Sequence, residues 1–265
     1  MKPCAALLCL ALAACGTTYA VPDGGGPAVL PSPDGSGLPG RARTAADFRR
    51  VAARVEPVAE SFCREELPDA PARYCDYRIG LETDPRMPPN AFQTRGEDGR
   101  PIVVVGSTLL AEMLTDDEIA FVLSHEASHH IAGHIPRQQQ QQVLGALILG
   151  GLVAATGDPV TGAPASDAAI RRAMDIGAYV GARTYSQSYE LEADTLGAFI
   201  AARAGYDPER GARIFLRPAL ANPGGPPLLA SHPGSAQRQA TVARTAAEIR
   251  RQQAVGLVPR PGRAG

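Results

Sequence analysis

TDDEIAFVLSHEASHHIAGH, residues 115–134, holds four of the chain's five histidines and decides how the rest is read. Thr115 and Glu118 have the spacing of a capping box, so a helix opens here. Ile119, Val122, Leu123 and Ala127 give it a buried side. His125 and His129 are four apart and fall on one face, one turn from each other. Two imidazoles so placed can bind one zinc ion at about 2 Å each. Glu126 is displaced around the helix from His125, where its carboxylate reaches a water beside the ion rather than the ion itself. Zinc lowers the pKa of such a water towards about 7, and the carboxylate takes its proton. His130 and His134 form a second pair at the same spacing, but Ile131 follows the first of them and Gly133 weakens the helix between them. They read as packing or hydrogen-bonding residues. A metzincin site would need glycine at position 132 and histidine at position 135, where Ala132 and Ile135 stand.

An HExxH helix needs a third ligand. Tyr189-Glu190-Leu191-Glu192-Ala193-Asp194 opens a later helix that continues through Leu196, Phe199 and Ile200 and stops at Gly205. Glu190 and Asp194 are again one turn apart. One carboxylate can bind zinc while the other accepts a hydrogen bond from the far nitrogen of a ligating histidine. Two carboxylates on a mostly apolar helix are costly to bury without such partners. The alternative is a solvated acidic face with Glu192 beside it. The fifth histidine, His232, stands in Ser231-His232-Pro233-Gly234, followed by Arg238, and by itself reads as a surface-loop residue.

Outward from these helices, 265 residues suit one domain with appendages. A net charge of −1 provides no basic face for nucleic acid, and Lys2 is the only lysine. The start, MKPCAALLCLALAAC, has an apolar run from Ala5 to Ala14. That run is shorter than the about 20 residues a bilayer needs and fits a secretory signal. Leu12-Ala13-Ala14-Cys15 has the form of a bacterial lipobox, so residues 1–14 are expected to be a lipoprotein signal and Cys15 the lipidated residue. An ordinary cleaved signal with an incidental cysteine is the alternative. Gly16 is not the aspartate that retains such lipoproteins at the inner membrane, which favours the outer membrane facing the periplasm. Cys4 and Cys9 then leave with the signal. Cys63 and Cys75 remain, an even pair in an oxidising compartment, expected as a disulfide, with two buried free thiols as the alternative. Residues 15–41 read as the lipidated cysteine and a Pro/Gly-rich flexible tether, 42–252 as the folded domain and 253–265 as a disordered tail.

Within the domain, Thr44 to Glu66 is predicted helical, with Phe48, Val51, Val55, Val58 and Phe62 on one face and a kink at Pro57. Tyr74 to Glu82 has strand character. Ile102 to Val105 is a short apolar strand after the turn Gly96-Glu97-Asp98-Gly99. Val143 to Ala155 would be about 20 Å long as a helix, short of the roughly 30 Å hydrocarbon core. It reads as a buried or lid helix, with a membrane-facing arm as the alternative.

HEASHHIAGH, YSQSYELEAD (185–194), AGYDP (204–208) and SHPGSAQR (231–238) together resemble zinc metallopeptidase family forty-eight, which includes the HtpX-like, BepA-like, mitochondrial OMA-type and CAAX prenyl proteases. PNAF (89–92) and IVVVGSTL (102–109) are similar to the family's segment leading into and forming the strand at the cleft. The resemblance covers about 75–250 in the same order. It implies an α+β, mainly helical zincin domain of the gluzincin type, with a small β-sheet edging the active-site cleft. It implies that His125, His129 and Glu190 bind one zinc ion, that Glu126 is the base and that Asp194 supports a ligand. His232 would lie beside the site, touching the metal or the developing oxyanion, or blocking the site until moved. Gln187 stands where many members carry arginine.

The mature chain shows no transmembrane run and stops soon after the final helix, which resembles the compact periplasmic lipoprotein members. The expected activity is internal peptide-bond hydrolysis on unfolded or misassembled cell-envelope proteins, with the substrate backbone added beside the 102–105 strand. The rival reading is a latent or non-catalytic assembly or chaperone lipoprotein that keeps a zinc site. A hydrolase of another amide, such as peptidoglycan, is a third.

Overall fold

The computed structural model describes residues 17–22, 41–157, 164–184, 186–217, 232 and 236–264. The expected signal peptide, Cys15 and residues 23–40 of the expected tether lie outside the described residues. The chain divides into two compact units, one made of residues 17–132 and 190–265 and the other centred on 133–189.

In the first unit, helix α1 (Ala45–Glu66) starts where its sequence supplies a cap. The Thr44 hydroxyl accepts from the Asp47 backbone, and the Asp47 carboxylate accepts from the Thr44 N–H. Phe48, Val51, Val55, Ala59 and Phe62 are buried along one face, and the helix runs on through Pro57. Its last turn is tied by a Cys63–Cys75 disulfide to a 3₁₀ turn at Ala72–Cys75. The cross-link closes a loop with a sequence separation of 12. Reducing it, or changing both cysteines to serine, is expected to lower the unfolding free energy by about 3 kcal/mol, read from denaturant curves with and without reductant.

Three strands follow: β1 (Arg78–Glu82), β2 (Ala91–Arg95) and β3 (Pro101–Gly106). The sheet order is β1-β3-β2, with β1 parallel and β2 antiparallel to β3. The Ile102–Val105 strand was expected to accept substrate along its side. It is instead the central strand, with both hydrogen-bonding edges occupied: Val103 faces Ile79 on one side and Gln93 on the other. The exposed edges belong to β1 and β2, which carry the charges (Arg78, Glu82, Arg95) that edge strands use against stray pairing.

After the short helix α2 (Ser107–Glu112), helix α3 (Asp116–Ile131) begins at the predicted capping box, with Thr115 and Glu118 capping reciprocally. It is buried nearly all round. It ends at Ile131, just before the Gly133 that weakens the helix: Gly133 takes φ 66°, a left-handed value natural for glycine. Later come α6 (Ser186–Arg203), the short α7 (Pro208–Gly211) and α8 (Ala236–Ala254). One core joins α1, the sheet, α3, α6 and α8, with Phe62, Val103, Phe121, Leu123, Leu196, Ile200 and Ile214 near its centre.

Two segments expected to be unstructured are ordered by tertiary contacts. Tyr19, assigned to the tether, is fully buried. It forms an antiparallel bridge with Arg263, which was assigned to the disordered tail. Composition pointed to disorder, but the Arg263 guanidinium lies 4.4 Å from the Tyr19 ring centre and 3.0 Å from the Glu66 carboxylate.

The second unit pairs α4 (His134–Thr156) with α5 (Asp167–Thr184) around Val153, Ala169 and Ala173. The 143–155 stretch, read above as a buried or lid helix, leaves Val143, Leu144, Leu147, Ile148 and Leu152 exposed. Among the described residues it is apolar on more sides than α5 covers. Among the described residues no helix is long and apolar enough to cross a membrane.

Candidate metal centre

α3 brings His125 and His129 to one face, and their Nε2 atoms stand 3.0 Å apart. α6 brings Glu190 to the same point. Its Oε2 is 3.3 Å from His125 Nε2 and its Oε1 is 3.5 Å from His129 Nε2. The two helices can approach this closely because of Gly197: a Cβ there would lie 3.1 Å from both the N and the Cα of His125. Gly197→Val is therefore expected to force the helices apart. Overpacking of this kind destabilises by about 1–3 kcal/mol. The variant should also retain less metal after gel filtration, which metal analysis would read.

His232 joins the three. Its Nδ1 is 3.3 Å from His125 Nε2 and 3.0 Å from both Glu190 oxygens. Ligand atoms of the four residues all lie within 4.8 Å of one another. Donors bonded to a tetrahedral zinc at 2.0–2.1 Å stand about 3.3 Å apart. The separations among His125, His129 and Glu190 bracket that edge length, so two imidazoles and a carboxylate would fit a divalent ion, with His232 Nδ1 close against His125 and Glu190. Glu126 is outside this donor set. It is buried on α3 with Oε1 3.5 Å from His232 Nε2.

Asp194 and Arg238 pair with the donors. Asp194 Oδ1 lies 3.0 Å from His125 Nδ1, which leaves Nε2 of that ring facing the other donors. Burial disfavours a charged His125, but Asp194 and Glu190 outweigh it and raise its pKa to about 9. A metal ion must therefore displace a proton there, and binding weakens as pH falls. Burial would push the Glu190 and Asp194 carboxyls up, but the facing cations hold both down, Glu190 well below the usual range. The main fixed cation is Arg238. Its Nε and Nη2 donate to the two Asp194 oxygens at 2.6 Å each, and its Nη1 is 3.2 Å from Glu190 Oε2. The same Nη1 donates to the His232 carbonyl at 3.2 Å, and the guanidinium sits 3.9 Å from the Phe215 ring centre.

His130 and His134 are elsewhere. The His130 Nε2–H donates to the Tyr74 carbonyl at 2.7 Å, and burial lowers its pKa to about 4. His134 stacks on Tyr189 with ring centres 4.4 Å apart. Glu192, considered above as part of a solvated acidic face, is fully buried on the far side of α6. It accepts hydrogen bonds from the backbone N–H groups of Thr18 and Tyr19. The sequence reading missed the roles of Arg238, Phe215 and Gly197. A signal for Arg238 existed, because two buried carboxylates one turn apart require a cation.

A profile of Peptidase family M48 matches residues 45–246, which take in every residue of the cluster. The chain belongs to this family. It is 32% identical over 169 residues to the mitochondrial metalloendopeptidase OMA1 of Saccharomyces cerevisiae, covering 61% of this chain and 45% of that protein. It is 31% identical over 125 residues to the beta-barrel assembly-enhancing protease of Yersinia pestis, covering 45% of this chain and 24% of that protein. The M48 chain thus spans less than half the length of these relatives. Its mainly helical fold, small sheet and His/Glu cluster accord with a metal-dependent peptidase site.

Proposed function

We propose that this M48 chain is a zinc-dependent endopeptidase of the gluzincin type, anchored by lipid at Cys15 and acting on unfolded or misassembled envelope proteins at the periplasmic face of the outer membrane. The observation that carries the reading is the convergence of the His125 and His129 Nε2 atoms with the Glu190 carboxylate, with Glu126 beside them. Zinc bound by those three residues supplies Lewis acidity to the scissile carbonyl and acidifies the attacking water. The Glu126 carboxylate accepts the proton of that water and passes it to the leaving amine nitrogen. Asp194 holds His125 in the required tautomer, and Arg238 holds Asp194. The extended substrate adds along β2, an exposed sheet edge that packs against α3, in place of the central strand. Backbone pairing of that kind reads few side chains, which suits misfolded clients. Sequence similarity to a beta-barrel assembly-enhancing protease supports the envelope setting, and the lipobox at Leu12–Cys15 supports the anchor.

The test is cleavage of casein and of an unfolded outer-membrane protein by the purified chain. Activity should vanish with a zinc chelator and return with added zinc. His232 Nδ1 is packed against His125 Nε2 and the Glu190 carboxylate, whereas a catalytic zinc site would need a position left open for water and substrate. His232 must move aside for turnover, so His232→Ala is expected to bind zinc and to cleave faster than the parent chain. A zinc-loaded His232→Ala variant with no activity on either substrate would favour the non-catalytic binder.

A further inference from the structure

Residues 17–20 are clamped to the metal-binding unit. The Thr18 and Tyr19 N–H groups donate to Glu192 Oε1 at 2.6 and 2.7 Å, on the same helix as Glu190 and Asp194. Ala20 N–H donates to the Gly262 carbonyl at 2.9 Å and Ala264 N–H to the Thr18 carbonyl at 3.1 Å. The partner segment is itself fixed. Arg203 Nε donates to the Pro259 carbonyl at 2.8 Å, and the Gln252 side chain both donates to and accepts from the Arg260 backbone. Just before this fixed stretch, the turn after α8 leaves Val255, Leu257 and Val258 at 72%, 59% and 66% exposure. Leu257 and Val258 also line an open cleft of about 580 Å³ with Pro57, Val58 and Ala202. Arg260, exposed, flanks the trio. Exposed apolar side chains grouped in one turn offer a surface that an apolar phase can cover.

We propose that the surface formed by Val255, Leu257 and Val258 rests on the lipid bilayer, held there by the clamped 17–20 segment. The inference rests on the lipoprotein reading above. Cys15 is three residues from Thr18, so a lipid on its sulfur enters the bilayer within about 11 Å of the clamp. Val258 is five residues from Arg263, the bridge partner of Tyr19, a reach of at most about 17 Å. The bilayer is thus the apolar phase that the anchor itself brings to these side chains. A flexible tether from Cys15 to Thr44 would instead leave a root-mean-square span of about 30 Å. In the clamped arrangement the distance to the membrane is set by the residues between Cys15 and the clamp, and not by those that follow it in sequence.

The chain has no tryptophan, so Leu257→Trp supplies a single tryptophan, excited selectively over the tyrosines, at an exposed position. The lipidated protein would be reconstituted into phosphatidylethanolamine/phosphatidylglycerol vesicles with brominated acyl chains. The expected result is strong quenching at position 257. It should fall several-fold when about 20 Gly/Ser residues, spanning about 25 Å, are inserted between Gly16 and Thr17. The same insertion between Gly26 and Pro27 should leave it unchanged. Equal behaviour of the two insertions, no quenching in the Leu257→Trp protein without an insertion, or a tryptophan at 257 shielded by self-association would each overturn the proposal while leaving the peptidase reading intact. Mass spectrometry of Cys15 separates the remaining case: without a diacylglyceryl group, the lipoprotein reading fails and this proposal with it.

Discussion

Glu126→Gln is expected to bind zinc as the parent chain does and to cleave an unfolded protein about 10²–10⁴-fold more slowly. The two halves of that expectation come from separate observations. The ligand atoms belong to His125, His129, Glu190 and His232, and Glu126 contributes none. Glutamine has the same shape and keeps an acceptor oxygen at the position now 3.5 Å from His232 Nε2. The donor cluster should therefore survive, along with the packing of a residue that is almost wholly buried. A carboxamide cannot take up the proton that the attacking water must lose, and among the described residues the other carboxylates at the cluster are already engaged. Glu190 faces both imidazoles, and Asp194 is engaged by His125 and Arg238. Metal analysis and initial rates on the same preparation test both halves. An unchanged rate would remove Glu126 as the base. A lost rate with lost zinc would make it a structural residue of the centre.

What the sequence could show depended on the range of the interaction. The HExxH pair, its helix and the capping box at Thr115 and Glu118 all lie within a few turns of one helix, and periodicity alone placed them. Glu190 and Asp194 were legible as a pair because their spacing repeats the same rule on a second helix. Which of them faces the donors came from family resemblance, since the geometry depends on how α6 crosses α3 at Gly197. The strand order was not legible. Ile102 to Val105 is apolar at every position, which signals burial on both faces but says nothing about how many neighbours the strand has. The charged residues of β1 and β2 were the better guide to which strands are edges. Glu192 lies between two site carboxylates in sequence, yet two residues turn its side chain to the opposite side of the helix. There it meets a segment more than 170 positions earlier. Composition pointed to disorder for both 17–22 and 257–264, because a Pro/Gly/Arg-rich stretch carries no periodic pattern. The order comes from single long-range partners: Glu192, Glu66 and Arg203.

Arg238→Ala is expected to destabilise the metal-free protein by about 3–5 kcal/mol, the range for removing one partner of a buried ion pair. The cause lies in what is left behind. Arg238 is 2% exposed, and its loss strands Asp194, itself 1% exposed, with His125 as its remaining charged neighbour. It also removes the cation 3.2 Å from Glu190 and the hydrogen bond that fixes the His232 carbonyl. For a domain of this size the loss corresponds to a fall in Tm of roughly 10 °C. Zinc should recover part of it, because a divalent ion between the donors neutralises Glu190 by a route that does not need Arg238. Asp194 has no such substitute. The double variant Arg238→Ala/Asp194→Ala should therefore be less destabilised than the sum of the two single changes, with a coupling energy of at least about 1 kcal/mol. Thermal unfolding of the four proteins of that cycle, with and without zinc, measures each quantity. Additivity of the two substitutions would mean that Arg238 merely fills space beside Phe215, and that the carboxylates are held ionised by the histidines alone.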